Sequence, residues 1–247
     1  MKFVDGDAVL LAGATGRVGG ATLATLVREG ARVAVLSRER ARAAATIASV
    51  LEPGEVANAL AVEADLNDPA SAAAAVAACV AAFGRVDAVI NLAGNGPQRV
   101  PLVKSTLEDL RQSLAGYTET AYSLALPALR AMLAQPFREG TLSRGRIVTV
   151  TAGSSKSPAP GRGAFAVAKA GVNALMLAIA REHKADGIVA NALVLGGVAF
   201  PGRQGPPEDI QAAATPQEVA DILTFLASDR SSGINGELVD LNAREID

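Results

Sequence analysis

Gly13, Gly16 and Gly19 recur at intervals of three in the run Gly13-Ala14-Thr15-Gly16-Arg17-Val18-Gly19-Gly20. Glycine allows a tight turn and lets a pyrophosphate approach the main chain. The N–H groups and dipole of a following helix then favour the negative charge. The run sits where that chemistry needs it, after an apolar β-type stretch, Ala8–Ala12, and before a helical one, Gly19–Glu29. The spacing is not G-x-G-x-x-G, so the strand–turn–helix context carries the reading more than the glycines do. Gly13, Thr15, Gly16, Arg17, Val18 and Gly19 are thus candidate dinucleotide contacts. Ser37 and Arg38 end the next β-type stretch, with Arg40 and Arg42 close behind. An acid at that place would accept from the ribose 2′-hydroxyl of NAD. A guanidinium instead suits a 2′-phosphate, through bidentate charge-assisted hydrogen bonds, so NADP(H) is the expected cofactor.

The elements that must position these residues alternate along the whole chain. Ala8–Ala12, Arg32–Ser37, Val56–Glu63, Val86–Leu92, Arg146–Thr151, Ile188–Val194 and Glu237–Asn242 read as strands. Gly19–Glu29, Arg40–Val50, Pro69–Phe83, Leu107–Gln135, Phe165–Ala185 and Pro216–Ala227 read as helices, with Pro127 expected to kink or restart the fourth. The strands are continuously apolar, as in a parallel sheet covered on both faces. The expected fold is one α/β domain over residues 1–247, a doubly wound Rossmann fold with about seven parallel strands. Gly94–Lys104, Gly153–Gly163 and Gly196–Gly205 are the irregular stretches, and loops beyond the strand carboxyl ends are where such sheets bind ligands.

The composition narrows the function classes. With 23 Lys+Arg against 25 Asp+Glu, the 247-residue chain lacks the basic footprint of a nucleic-acid binder. Two Tyr, six Phe and no Trp leave little for base stacking. One Cys (Cys79) and one His (His183) cannot build a His/Cys zinc cluster or an internal disulfide, so no metal is expected. Acidic residues come before any signal-like apolar stretch, and no window holds 18 consecutive apolar residues. The expectation is a cytoplasmic protein without a membrane partner.

Several segments together resemble the short-chain dehydrogenase/reductase family. Asp65-Leu66 is similar to its adenine-pocket acid, and Asn91-Leu92-Ala93-Gly94 to its Asn-Asn-Ala-Gly motif, with Leu92 replacing the second Asn. Ala168-Lys169-Ala170-Gly171-Val172 resembles the segment holding the catalytic lysine. Asn191-Ala192-Leu193-Val194-Leu195-Gly196 resembles the Asn-x-x-x-Pro-Gly stretch near the nicotinamide, with Leu195 where proline is expected. Thr215–Ala220, Phe225–Asp229 and Gly233–Gly236 are similar to the family's penultimate helix and its exit. The resemblance spans about residues 5 to 242 and implies a further cofactor set: Asp65, Leu66, Asn91, Ala93, Gly94, Lys169, Gly196 and Val198. It also implies a homotetramer or homodimer through Leu107–Gln135, Phe165–Ala185 and the final strand.

The same resemblance points to an altered reaction centre. The family pairs its lysine with a tyrosine four residues earlier, which donates a proton to the forming alkoxide; that position is Phe165. Its substrate-binding serine, thirteen residues before the tyrosine, falls on Ala152, and its helix asparagine on Ser113. No other tyrosine lies between Ala152 and Lys169. Lys169, Ser113, Tyr117 and Ser154 remain as candidate catalytic residues, with Ser155 beside the last. Lys169 would then hold the nicotinamide ribose. Two functions stay open: hydride transfer to a small organic substrate that needs no phenol there, such as an imine or activated alkene; or a non-redox role, with the dinucleotide as structural or sensing ligand or the pocket used for isomerisation or cyclisation.

Overall fold

The computed structural model describes residues 4–96, 99–199 and 213–241. Seven parallel strands form one sheet in the order β3-β2-β1-β4-β5-β6-β7. They are β1 (Ala8–Ala12), β2 (Arg32–Ser37), β3 (Ala59–Glu63), β4 (Ala88–Asn91), β5 (Gly145–Ala152), β6 (Ile188–Leu195) and β7 (Leu238–Leu241). The α-helices are α1 (Arg17–Arg28), α2 (Arg40–Val50), α3 (Pro69–Phe83), α4 (Leu107–Ser113), α5 (Thr120–Ala134), α6 (Gly163–Glu182) and α7 (Pro216–Leu226).

Because side chains alternate along a strand, each strand feeds two cores. Ala8, Leu10 and Ala12 point into a cluster with α3, α5 and α6, while Val9 and Leu11 point into one with α1, α2 and α7. Burial on both sides explains the unbroken apolar runs. β1 pairs with β2 on one side and β4 on the other, so the chain reverses its direction of growth between β1 and β4. That reversal opens a crevice beyond Ala12 and Asn91, the usual ligand position in this architecture.

Several boundaries differ from the sequence reading. Val56–Asn58 is a 3-10 turn, so the third strand starts at Ala59. β4 contracts to Ala88–Asn91, and α6 starts two residues early and stops at Glu182. The single helix expected over Leu107–Gln135 is interrupted by a π-helical turn at Leu114–Glu119, while Pro127 lies inside the regular helix α5. α6 is long and apolar enough by length and composition to cross a membrane, and half of that window is buried within the protein. Residues 200–205 of the third irregular stretch lie outside the described residues, as does Asn242.

The amino ends of the strands are tied by ions. Arg146, 2% exposed, donates to the Asp7 carboxylate at 2.9 Å and through Nε to the Asp87 carbonyl at 3.3 Å. It also lies 3.7 Å from an Asp229 oxygen. Arg138 bonds the other Asp7 oxygen at 2.6 Å, and Arg85 bonds Asp87 at 2.7 Å. Burial raises the Asp7 pKa even though Arg146 and Arg138 lower it.

Candidate functional site

The glycine turn is shaped by close approach. Gly13 has φ +85°, and a Cβ there would lie 2.8 Å from the Leu92 carbonyl carbon across the reversal point. A Cβ on Gly19 would drive into the Gly13 carbonyl oxygen and sit 2.6 Å from the Ala14 Cα. Gly16 is different: its Cβ would meet only Gly13 oxygen at 3.5 Å, so the protein alone does not require glycine there. Gly16 is also the N-cap of α1 and has no side chain to close it. No side chain therefore caps the head of this twelve-residue helix, which fits a pyrophosphate there.

The crevice is partly open to solvent. Of the residues expected to contact a dinucleotide, Gly13, Thr15, Ser37, Arg38, Asp65, Leu66, Ala93 and Gly94 line it. Asn91 is buried beneath it, where its Oδ1 accepts from the Ala93 N–H at 2.9 Å and fixes the turn that presents Ala93 and Gly94. Arg17 and Val18 start α1 outside the lining, and Val18 packs into the core beneath the sheet. Gly196 and Val198 follow β6, with Val198 bridged to Ala214. Glu39, Arg42, Asn67, Asn95, Gly116 and Thr120 also line the crevice. Only Arg42 among these stood out in the sequence; the others arrive through loop course and helix packing, although Asn95 directly follows the Ala93-Gly94 turn.

At the other end, Ala152, Tyr117, Phe165, Ala168 and Val172 form a single apolar cluster. The π turn brings Tyr117 into it, and such turns are frequent at functional sites. The Tyr117 ring meets Phe165 edge-on, with centroids 5.1 Å apart, and a Cβ on Gly94 would collide with it. Its hydroxyl is buried without a hydrogen-bond partner among the described residues. Burial raises its pKa, with Arg162 acting in the opposite sense. Thr118 donates to the Ala168 carbonyl at 2.8 Å, tying the π turn to α6.

Lys169 Nζ lies 4.5 Å from the Tyr117 ring centroid and donates to the Val150 carbonyl at 2.9 Å. An ammonium has three donors, so this bond leaves two for other acceptors. Burial lowers its pKa to about 8. The unfolded value stays near 10.5, so the folded chain carries the cost of a buried cation below pH 8 and sheds it between pH 8 and 10.5. Lys169→Met should therefore raise stability near pH 7, by up to about 3 kcal/mol at 1.36 kcal/mol per pKa unit. That advantage should fade by pH 10.5, and melting curves at pH 7 and 10 check it. A constant difference would contradict a buried charge.

The serines divide. Ser113 lines a small cavity with Val100, Ser105, Asp109, Gly161, Ala164 and Phe165. Ser155 is engaged, donating to the Ala152 carbonyl at 2.6 Å and accepting from Asn173 Nδ2 at 2.9 Å. Ser154 is half-buried on the 3-10 turn after β5.

Comparison with known proteins extends along the whole chain. The family model described as enoyl-(acyl carrier protein) reductase matches residues 13–243. The chain is similar to an NADPH-dependent aldehyde reductase-like chloroplastic protein of Arabidopsis thaliana, at 26% identity over 96% of this chain and 93% of that one. It is also similar to the 3-oxoacyl-[acyl-carrier-protein] reductase of Salmonella typhimurium, at 28% identity over 98% of each. The solved structure of an NAD+-bound xylitol dehydrogenase superimposes with a TM-score of 0.86 at 22% identity, covering 98% of this chain and all of that one.

Proposed function

The chain belongs to the short-chain dehydrogenase/reductase family, whose members use a nicotinamide dinucleotide, and on that premise we propose that it is an NADP(H)-binding oxidoreductase with a non-standard active site. The observation that carries this reading is the glycine turn at the strand reversal, shaped by contacts that no residue but glycine satisfies at positions 13 and 19. There the turn would hold the pyrophosphate, Asp65 and Leu66 would flank the adenine side, and Arg38 and Arg42 would serve a 2′-phosphate. When bound, the cofactor supplies a hydride to a small organic acceptor. Lys169 offers its two remaining N–H donors to the ribose hydroxyls. Phe165 and Ala152 supply neither proton nor hydrogen bond, which favours acceptors that need none there: an imine, or an alkene conjugated to an electron-withdrawing group.

Tyr117 is the phenol nearest this position and the candidate alternative donor. Ser113, on the cavity that Phe165 also lines, is the candidate contact for a substrate oxygen. The outward faces of the helices carry Leu107, Tyr122 and Val167 at 61%, 52% and 55% exposure, which supports self-association into a dimer or tetramer.

Calorimetric titration with NADPH and NADH is the direct test. NADPH should bind at least tenfold tighter, and Arg38→Ala with Arg42→Ala should abolish the preference while leaving NADH binding in place. Glu39 on the same rim works against a 2′-phosphate, so equal affinities would mean that this acid outweighs the arginines. A hydride-transfer screen over ketones, imines and enones follows. Tight NADPH binding without oxidation in any class would transfer support to a non-redox role.

A further inference from the structure

Lys169 is a buried cation without a carboxylate. Among the described residues it belongs to no ion pair, and its Nζ donates to the Val150 carbonyl of β5 at 2.9 Å. A charge taken out of water needs a partner of some kind. The group that faces the ammonium is the Tyr117 ring, whose centroid lies 4.5 Å from Nζ. An aromatic face attracts a cation through its quadrupole within about 6 Å, most strongly where water is excluded.

That ring is fixed from several directions. Thr118 donates to the Ala168 carbonyl at 2.8 Å, and a Cβ on Gly171 would lie 3.2 Å from the Thr118 Cγ2. The residue after Tyr117 is thus tied to α6 on either side of Lys169. Phe165 meets the ring edge-on at 79°, and a Cβ on Gly94 would collide with it. Burial raises the Tyr117 pKa while Arg162, at the head of α6, lowers it, and the ring meets Lys169 as a neutral aromatic. The acids and bases of the neighbouring elements are committed elsewhere. Asp109 of α4 accepts from the Thr106 N–H at 2.7 Å, Lys156 after β5 pairs with Asp240, and Glu119 of the π turn is exposed. Burial is the one cause of the lowered Lys169 pKa.

We infer that Tyr117 is a positioning residue for Lys169. Its ring face stands in for the phenol that residue 165 lacks, holding the ammonium charged so that its two free donors serve a ribose diol at neutral pH. This rests on the proposed oxidoreductase reading and adds a residue to that same site. The role belongs to the ring face and not to the hydroxyl.

NMR titration of the cofactor-free protein, with lysine labelled at Cε, reads Lys169 directly, and Lys169→Met identifies its signal. Tyr117→Phe keeps a ring face and should leave the midpoint in place. The same ring pentafluorinated keeps nearly the same shape but loses its negative face. It should shift the ammonium–amine equilibrium about tenfold toward the amine, and Tyr117→Leu should do the same. The fluorinated ring keeps the test alive if Tyr117→Leu fails to fold. Calorimetric titration with NADPH from pH 6 to 9 should show affinity lost at lower pH with the fluorinated ring than in Tyr117→Phe. A lysine midpoint that fluorination leaves unmoved or raises overturns the inference. If NADPH fails to bind any form, the oxidoreductase proposal falls, whereas the lysine titration on the protein alone still decides the role of Tyr117.

Discussion

Phe165→Tyr combined with Ala152→Ser should raise reduction of simple ketones by at least 100-fold. A positioned general acid contributes about 10²–10⁴ in rate, and one hydrogen-bond donor to a developing oxyanion about 10²–10³. Both substitutions add a single hydroxyl within the same cluster. Residue 165 lies one helical turn before Lys169, so a phenol there shares the face that already carries the ammonium. NADPH oxidation with a panel of ketones measures the gain, and NADPH affinity serves as the control. Unchanged turnover with normal cofactor affinity would mean that this scaffold no longer presents a nicotinamide to the pocket. Tyr117→Phe in the native background is the counterpart: turnover that falls would make Tyr117 the donor, and unchanged turnover would leave it a packing residue beside Gly94.

Arg146→Ala should cost about 3–5 kcal/mol, the range for removing one partner of a buried ion pair. Asp7 and Asp87 are 5% and 2% exposed, and Asp7 loses its buried counter-charge. For a chain of this length, each kcal/mol shifts the melting temperature by about 2–4 °C, so a fall of about 10 °C is expected. The sign of the pH dependence follows from Asp7. Its folded pKa already lies above 3.8, and losing Arg146 raises it further. The unfolded chain then ionises first, so the penalty grows as pH rises above 3.8 and shrinks in acid, where Asp7 is protonated in both states. Denaturant melts at pH 4 and pH 7 check this; a deficit that is larger in acid would contradict it.

The fold was legible because burial on both faces writes itself into strands such as Ala88–Asn91 and β1. The glycine turn was legible because its residues are contiguous. What escaped depends on distant segments. Nothing local in Leu114–Glu119 marks i→i+5 bonding, although Gly116 within it must admit Asn95, whose Nδ2 a Cβ would meet at 2.6 Å. Thr120 and Asn95 enter the crevice through that packing. Val56–Asn58 reads as strand by residue type, yet none of its three residues is buried.

The ionic lattice around Arg146 and the candidate crevice occupy opposite poles of the same strands. β1, rising about 3.3 Å per residue, keeps them roughly 15–20 Å apart. Substitutions so far from one another combine nearly independently. One pole can thus be hardened while the other is re-tasked, and a lineage on this scaffold could lose hydroxyls from its chemistry without forfeiting its endurance.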